Sequence, residues 1–466
     1  MNVRSGSRIH RIARYLSVLV MAGSFRPQAM GTGLVSQGLY DFGANPKNPR
    51  AGLVQCGDGN FYGTTAFGGT NGENGTVFQI SPAGMWTNLT ILHSFQGSDG
   101  ALPWAGLVQG SDGLLYGTTE RGGTNSEFGT VFKIATTGEF TVLHNFEGSD
   151  GSFPRAALVQ GRDGNYYGTT AAGGANGDNG TVFRITTNGV LDSLFSFNGT
   201  NGSRPLAGLI QSSDGNFYGT TSAGGPDYNG TPATGNGAVF RITGDGTLAS
   251  LFFFHGTNGS DPEACLAEGS DGAFYGTTQA GGANGDNGTV FKITAAGVLT
   301  TLYSFGGADG NYPVAGLAAG SDGDFYGTTA GDNITTFGTV FRLTPRLTTL
   351  FSFDGTNGAS PVAGLTLGMD GNLYGTTFEG GSGRGGTIFR LVEAPVIKAI
   401  LPSNGSVVVT WNSFTNGTYR VEHTPALGAP KWVPLAAEVM AAGMTTSATY
   451  GLEGASQVFF RVRLLP

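Results

Sequence analysis

Charge and cysteine are what this sequence lacks. Only 12% of its 466 residues are Asp, Glu, Lys or Arg, and cysteine occurs twice, at Cys56 and Cys265. Two cysteines at unrelated places in the chain exclude a disulfide framework, and both read as free, small and buried. No apolar run approaches the roughly 20 residues needed to cross a bilayer, so the mature chain is expected to carry no transmembrane span. Catalytic signatures are absent as well. There is no H-E-x-x-H, no C-x-x-C, no phosphate loop, and no G-x-S-x-G leading from a strand into a helix, which removes the strongest motif-borne enzyme readings.

What is present begins with residues 1–30, which hold Arg4, Arg8, Arg11, Arg14 and Arg26, no acidic residue, and a short apolar run from Tyr15 to Met21. This pattern reads as a secretory signal peptide, with cleavage expected after Ser24 or Ala29. The mature protein is therefore expected outside the cytoplasm: extracellular, at the cell surface or periplasmic. Without those five arginines, 19 basic residues face 32 acidic ones, a net charge near −13 that argues against nucleic acid as a partner.

Glycine is abundant, at 83 residues, but 39% hydrophobic and 11% aromatic residues supply enough apolar surface to fold. The tetrapeptide YGTT begins at Tyr62, Tyr116, Tyr167, Tyr218, Tyr275, Tyr326 and Tyr374, spacings that average 52 residues. Each copy adds an Asp-Gly turn ahead of it, a Gly/Asn-rich stretch, a GTVF-like segment and a segment resembling LYSF. Asp-Gly favours tight hairpins because glycine takes positive φ without steric cost. Four short antiparallel strands repeated seven times predict an all-β fold, a seven-bladed β-propeller over residues 31–392. The first LYSF-like segment, Leu39 to Phe42, precedes the first YGTT, and the last copy lacks one, so this strand is expected to complete the last blade and shut the ring. Residues 393–466 lose the repeat and alternate apolar with polar, as in a small β-sandwich.

The motifs DGNFYGTT (Asp58 to Thr65), GGANGDNGTVF (Gly173 to Phe183) and LFSF (Leu194 to Phe197) resemble the bacterial GTVF tandem-repeat family, the "choice-of-anchor" proteins of cell surfaces. The resemblance covers residues 39–392 and implies a surface role with no established reaction. Such proteins end in an anchoring signal; this sequence ends in VFFRVRLLP, which reads as a strand. The C-terminal segment resembles a fibronectin type III module.

Positions at which the copies disagree are free of the shared structural demand. They cluster around one proline per copy. Before it stand Asn48, Leu102, Phe153, Arg204, Asp261, Tyr312 and Ser360, and after it Arg50, Trp104, Arg155, Leu206, Glu263, Val314 and Val362. If the segment after the proline is the innermost strand, the side chains cluster around one mouth of the channel. Arg50, Trp104, Phe153, Arg155, Arg204, Asp261, Glu263 and Tyr312 then form a ligand-binding set of flat faces and directional donors, suited to a carbohydrate or a protein. The long loop from Ser222 to Asn236, with Asp227 and Tyr228, is the expected recognition loop on the same face.

The bland readings of other groups are stronger. The repeated aspartates read as turn residues, and His93 and His144 as aromatic packing, because the other copies carry Tyr or Phe there. Calcium is the one cofactor for which donors exist, in the loops Gly173–Gly180 and Gly281–Gly288, although neither has helix-flanked calcium-loop spacing. Small residues at Gly52, Gly106, Ala157, Gly208, Cys265, Gly316 and Gly364 fit crowding near an axis. The function expected is non-enzymatic binding, the alternative being a carbohydrate-active enzyme using Asp261 and Glu263. Nothing in the sequence sets an oligomeric state.

Overall fold

The computed structural model describes residues 34–465 except 71, 83–88, 125–126, 321, 404–405, 414–416, 425–431 and 452–457. The expected signal peptide lies outside the described residues. The chain divides between Val392 and Glu393 into two compact units. The first is a β-propeller of seven four-stranded antiparallel sheets. In blade 1 the strands run Val54–Gln55, Phe61–Thr65, Thr76–Ile80 and Leu89–Ser94, from the two-residue inner strand outward. Blade 7 is built from Thr366–Leu367, Leu373–Thr377 and Thr387–Glu393, and its outer strand is Leu34–Asp41 from the start of the described chain. The closing strand is thus longer than the LYSF motif alone indicated.

The repeat residues explain one another. The glycine of YGTT is required because the phenylalanine of GTVF lies across it: a Cβ on Gly63 would come 2.7 Å from Phe78 Cζ, and every copy repeats this approach. Asp58 Oδ2 accepts a 2.6 Å hydrogen bond from the Tyr62 hydroxyl, while its other oxygen takes the Asn60 amide, so the turn aspartate also anchors the tyrosine. The same Asp–Tyr bond recurs through Asp370 and Tyr374. The first threonine donates across the seam, from Thr64 Oγ1 to the Ala105 carbonyl at 3.1 Å, and this too recurs around the ring. The second meets the threonine of GTVF, as in Thr65 and Thr76, their hydroxyls 2.7 Å apart.

The core lies between blades. Tyr218 of blade 4 stacks on Phe274 of blade 5 with ring centroids 4.1 Å apart, and Tyr275 stacks on Phe325 in the same way. Closure repeats the pattern. Tyr374 of blade 7 lies 4.5 Å from Phe61 of blade 1, Thr376 donates to the Ala51 carbonyl at 3.0 Å, and Phe42, Phe61, Tyr374 and Ile388 share one buried cluster.

His93 packs as expected, stacked on Phe140 at 3.8 Å, and in addition bonds Asp99 at 3.0 Å. His144 bonds Asp150 at 2.7 Å, and Tyr303 makes the matching bond to Asp309 in blade 5.

The second unit has a three-stranded sheet, ordered Ile397–Ser403, Ser406–Asn412, Thr445–Gly451. In its other sheet Thr418–Thr424 pairs with Phe459–Leu464 and with the short strands Val433–Pro434 and Val439–Met440. Val407, Val409 and Trp411 from one sheet and Tyr419 and Val421 from the other form a common core, which makes this unit a small sandwich. Among the described residues no helix is long and apolar enough to cross a membrane.

Candidate functional site

The proline of each copy sits at the seam and dictates the backbone on both sides. Pro103 Cδ would lie 2.5 Å from a Cβ on Gly75 of the preceding blade, whose φ is +92°, so the GTVF glycine is the surface on which the next blade's proline rests. The residue before each proline is left-handed. Asn48, Leu102, Phe153, Arg204, Asp261, Tyr312 and Ser360 all have φ between 51° and 60°. Apart from Asn48 and Asp261, these are residues that rarely adopt this region. Their peptide groups hold them there: Leu102 donates its N–H to Asn74 O of the preceding blade (2.9 Å) and accepts from the Glu120 N–H of its own blade (3.0 Å). Seven residues of unlike chemistry thus project from one fixed, strained backbone position.

Past the proline the chain turns into the inner strand and crowds its neighbours. A Cβ on Gly52 would lie 2.9 Å from Gly364 O, one on Gly208 2.8 Å from Ala157 O, and one on Gly316 3.1 Å from Cys265 O. The seven small residues therefore touch in sequence around the axis. Cys265 stands in this ring exposed rather than buried, contrary to expectation, and its Sγ accepts the Gly208 N–H at 3.1 Å. The innermost turn faces the channel, so a side chain there meets solvent although it sits deep in the fold.

The residues after the proline converge. Trp104 is flanked by two guanidinium groups, Arg50 at 4.0 Å and Arg155 at 4.7 Å from its ring centroid. Arg155 is ion-paired through its Nε and Nη2 to Glu120 Oε1, at 3.1 and 2.6 Å. Glu120 is only 2% exposed. Its Oε2 and the Trp104 indole N–H are buried with no hydrogen-bond partner among the described residues. Burial depresses the Arg50 pKa; Glu263 and Glu120 oppose this and Arg155 reinforces it. Burial also raises Glu263, with Asp261 adding to the rise and Arg50, Arg204 and Arg155 opposing it. A carboxylate from blade 5 thus feels arginines of blades 1, 3 and 4. Asp261 is likewise raised by burial, against the pull of Arg204.

A cavity of about 270 Å³ opens beside this cluster, between blades 3 and 4, with Phe153, Arg155, Asp178 and Arg204 in its wall. The long loop closes it through Thr231, Pro232 and Ala233. Asp227 and Tyr228 do not line it. Asp227 bonds Asn236 within the loop at 3.0 Å, and the Tyr228 ring lies over Gly199, where a Cβ would come within 2.2 Å. Tyr312 stands apart, half-buried and outside the cavity lining. Asp178 and Asp286 each turn one oxygen onto their own loop, bonding the N–H of Gly173 and Gly281 at 2.6 Å. Among the described residues no three His, Cys, Asp or Glu side chains gather as a metal site.

Sequence reasoning missed Glu120, although its signal was there. The residue after YGTT also differs among copies, as Ala66, Glu120, Ala171, Ser222, Gln279, Ala330 and Phe378. Comparing the copies at that position picks out Glu120, and with it Phe378, which lies 6.0 Å from the Arg50 guanidinium.

Compared with known proteins, the chain matches the family model of the Gloeobacter/Verrucomicrobia repeat over residues 48–232 and 231–424. No curated protein matches it. Among solved structures it is similar to PorZ, a surface component of the type-IX secretion system of Porphyromonas gingivalis. That likeness has 12% identity and a TM-score of 0.49, covering 91% of this chain and 60% of the other. The propeller domain of the Trilobed protease from Pyrococcus furiosus gives 9% identity and a TM-score of 0.42, covering 75% and 94%. A gluconolactonase of Xanthomonas campestris gives 17% and 0.37, covering 56% and 78%. At such scores these likenesses carry nothing about activity.

Proposed function

The chain belongs to the Gloeobacter/Verrucomicrobia repeat family, and from that premise we propose that it is an exported, non-enzymatic binding protein that takes a carbohydrate or protein at the mouth of its propeller. One observation carries the reading. On a scaffold held alike in seven copies, the divergent residues Arg50, Trp104 and Arg155 assemble with Glu120 into a cluster that leaves an indole N–H and a carboxylate oxygen without partners among the described residues. Buried polar atoms without partners are costly, about 1–3 kcal/mol each, and a cost of this kind kept on an otherwise regular scaffold supports a site retained for something other than stability.

The test is a glycan and peptide array probed with the mature chain and with Trp104→Val, valine being the residue of the sixth and seventh copies at this place. Binding lost in the variant supports the site; binding unchanged removes it. A carbohydrate-active enzyme is the competing reading, and the raised carboxyls of Asp261 and Glu263 are what favour it. Turnover of a bound glycan, abolished by Glu263→Gln, would replace the binding role.

Export rests on the basic and apolar pattern of residues 1–30, and N-terminal sequencing of the secreted protein checks it. A surface role of the GTVF "choice-of-anchor" kind draws on the sevenfold YGTT and GTVF motifs. A fibronectin type III-like character for residues 393–466 is supported by two sheets in which the first, second and sixth strands pair on one side and the third strand is central on the other.

A further inference from the structure

Arg204 is the one cation among the seven residues that precede the repeat prolines. It and Phe153, the equivalent residue of blade 3, both face the cavity of about 270 Å³ between these blades. The guanidinium groups in the cavity wall are not equivalent. Arg155 is committed to Glu120 at 2.6 Å. Among the described residues Arg204 has no ion pair or side-chain hydrogen bond, and Asp261, the acid it influences, stays beyond salt-bridge distance. Its planar fork of donors is therefore open to a ligand, and that geometry matches a carboxylate.

The opposite charge in the wall narrows the choice. Asp178 has one oxygen on the Gly173 N–H, leaving the other to accept from hydroxyls. A dianionic phosphate would be repelled by this carboxylate, whereas a monoanion that also carries hydroxyl groups uses both ends of the cavity. Phe153 adds an apolar ring, backed by Arg121 at 4.9 Å.

The walls are also preformed. The Arg204 N–H bonds Asn179 O at 2.9 Å and the Phe153 N–H bonds Phe128 O at 2.8 Å, fixing both left-handed residues. The buried Ser203 hydroxyl donates to the Pro232 carbonyl at 2.7 Å and ties down the long loop. Against the usual range of roughly 300–1,000 Å³ for ligand pockets, this cavity is small and suits a single sugar residue.

We propose that the cavity between blades 3 and 4 binds one uronic-acid residue of an acidic glycan, its carboxylate on Arg204, hydroxyls on Asp178 and its apolar face against Phe153. This deepens the binding role proposed above and rests on it. No other blade can repeat the site, since Asn48, Leu102, Asp261, Tyr312 and Ser360 supply no cation, so one residue is bound per ring.

The test uses the full mature chain in calorimetry against galacturonate and glucuronate oligosaccharides, their methyl esters, the neutral parent oligosaccharides, and peptides with free C-terminal carboxylates. Binding of an acidic oligosaccharide is expected, about tenfold or more tighter than its ester, the difference made by charge-assisted hydrogen bonds. Arg204→Asn should erase that preference. Asparagine occupies the equivalent left-handed position at residue 48, so the fold accommodates it. Arg204→Leu, which copies Leu102 of blade 2, serves if the first variant unfolds, and equal unfolding midpoints confirm intact chains. Acid and ester bound alike, or a preference untouched in both variants, overturns the uronate assignment while the glycan-binding role stands. Binding confined to peptide C-termini overturns it in favour of a protein ligand. Failure of every glycan and peptide to bind overturns both the assignment and the role it rests on.

Discussion

Replacing Thr376 by valine asks whether the ring is shut. The Thr376 hydroxyl donates to the Ala51 carbonyl at 3.0 Å, and the two residues are 1% and 6% exposed. Valine keeps the shape and removes the donor, leaving a buried carbonyl unpaired, which costs about 1–3 kcal/mol. The repeat provides its own control. Thr118 makes the same bond to the Ala156 carbonyl, at 3.2 Å, between blades 2 and 3, where the chain is continuous. In a closed ring Thr376→Val and Thr118→Val should lower the stability measured by urea unfolding by similar amounts, because each breaks the same buried bond at an equivalent seam. The circular dichroism and intrinsic fluorescence transitions should coincide in both. Were Thr118→Val destabilising and Thr376→Val neutral, blades 7 and 1 would not be in contact in solution, and the closure by Leu34–Asp41 would be wrong.

Leu102, at φ 54°, is held in the left-handed region, so Leu102→Gly should raise stability by a few tenths to about 1 kcal/mol and Leu102→Val should lower it; a glycine as damaging as valine would contradict the strain. Gly168→Ala places a Cβ 2.5 Å from Phe183 Cζ and should cost about 1–3 kcal/mol or more, whereas Gly43→Ala, with open space around it, should change the unfolding midpoint little. Burial, then the bond to Asp58, raises the Tyr62 pKa to about 12, and Tyr218 and Tyr326 are raised to about 12 in the same way. A raised folded-state pKa contributes stability that is complete below the unfolded value of about 10 and lost as pH climbs toward about 12. Phenolate absorbance should therefore rise together with loss of the circular dichroism signal in that window; repeat tyrosines ionising near pH 10 in an intact fold would refute this.

The blade count and closure were legible because each rests on local chemistry repeated seven times. Asp-Gly marks the turn, glycine in YGTT leaves room for a phenylalanine, and the stray Leu39 to Phe42 segment matches what the last copy lacks. Its extension back to Leu34 was not legible, since LVSQG carries none of the repeat's residues. Nor were the seven left-handed positions. No propensity places Leu, Phe, Tyr or Arg at positive φ, and a following proline favours extended backbone, so only hydrogen bonds within the blade and to its neighbour hold it there. The divergent positions pointed to the channel mouth, but which side chains meet there depended on contacts between blades. The loop expected to serve recognition shows the limit well. Asp227 and Tyr228 were its most chemically expressive residues, yet the loop uses them to hold its own shape and offers Thr231, Pro232 and Ala233 to the cavity.

The shared repeat residues are scaffold, and the proposed recognition role falls to the positions where the copies differ. The most direct measurement of that division is a glycan and peptide array comparing the wild-type chain with one carrying Arg50→Val, Trp104→Val, Glu120→Ala, Arg155→Val, Arg204→Asn and Glu263→Val, each residue taken from a sister blade and Glu120 removed together with its partner Arg155 so that no buried charge is left unpaired. The substituted chain should stay folded, by circular dichroism, and lose every signal the wild-type chain gives. A binding profile unchanged by those six substitutions would contradict it.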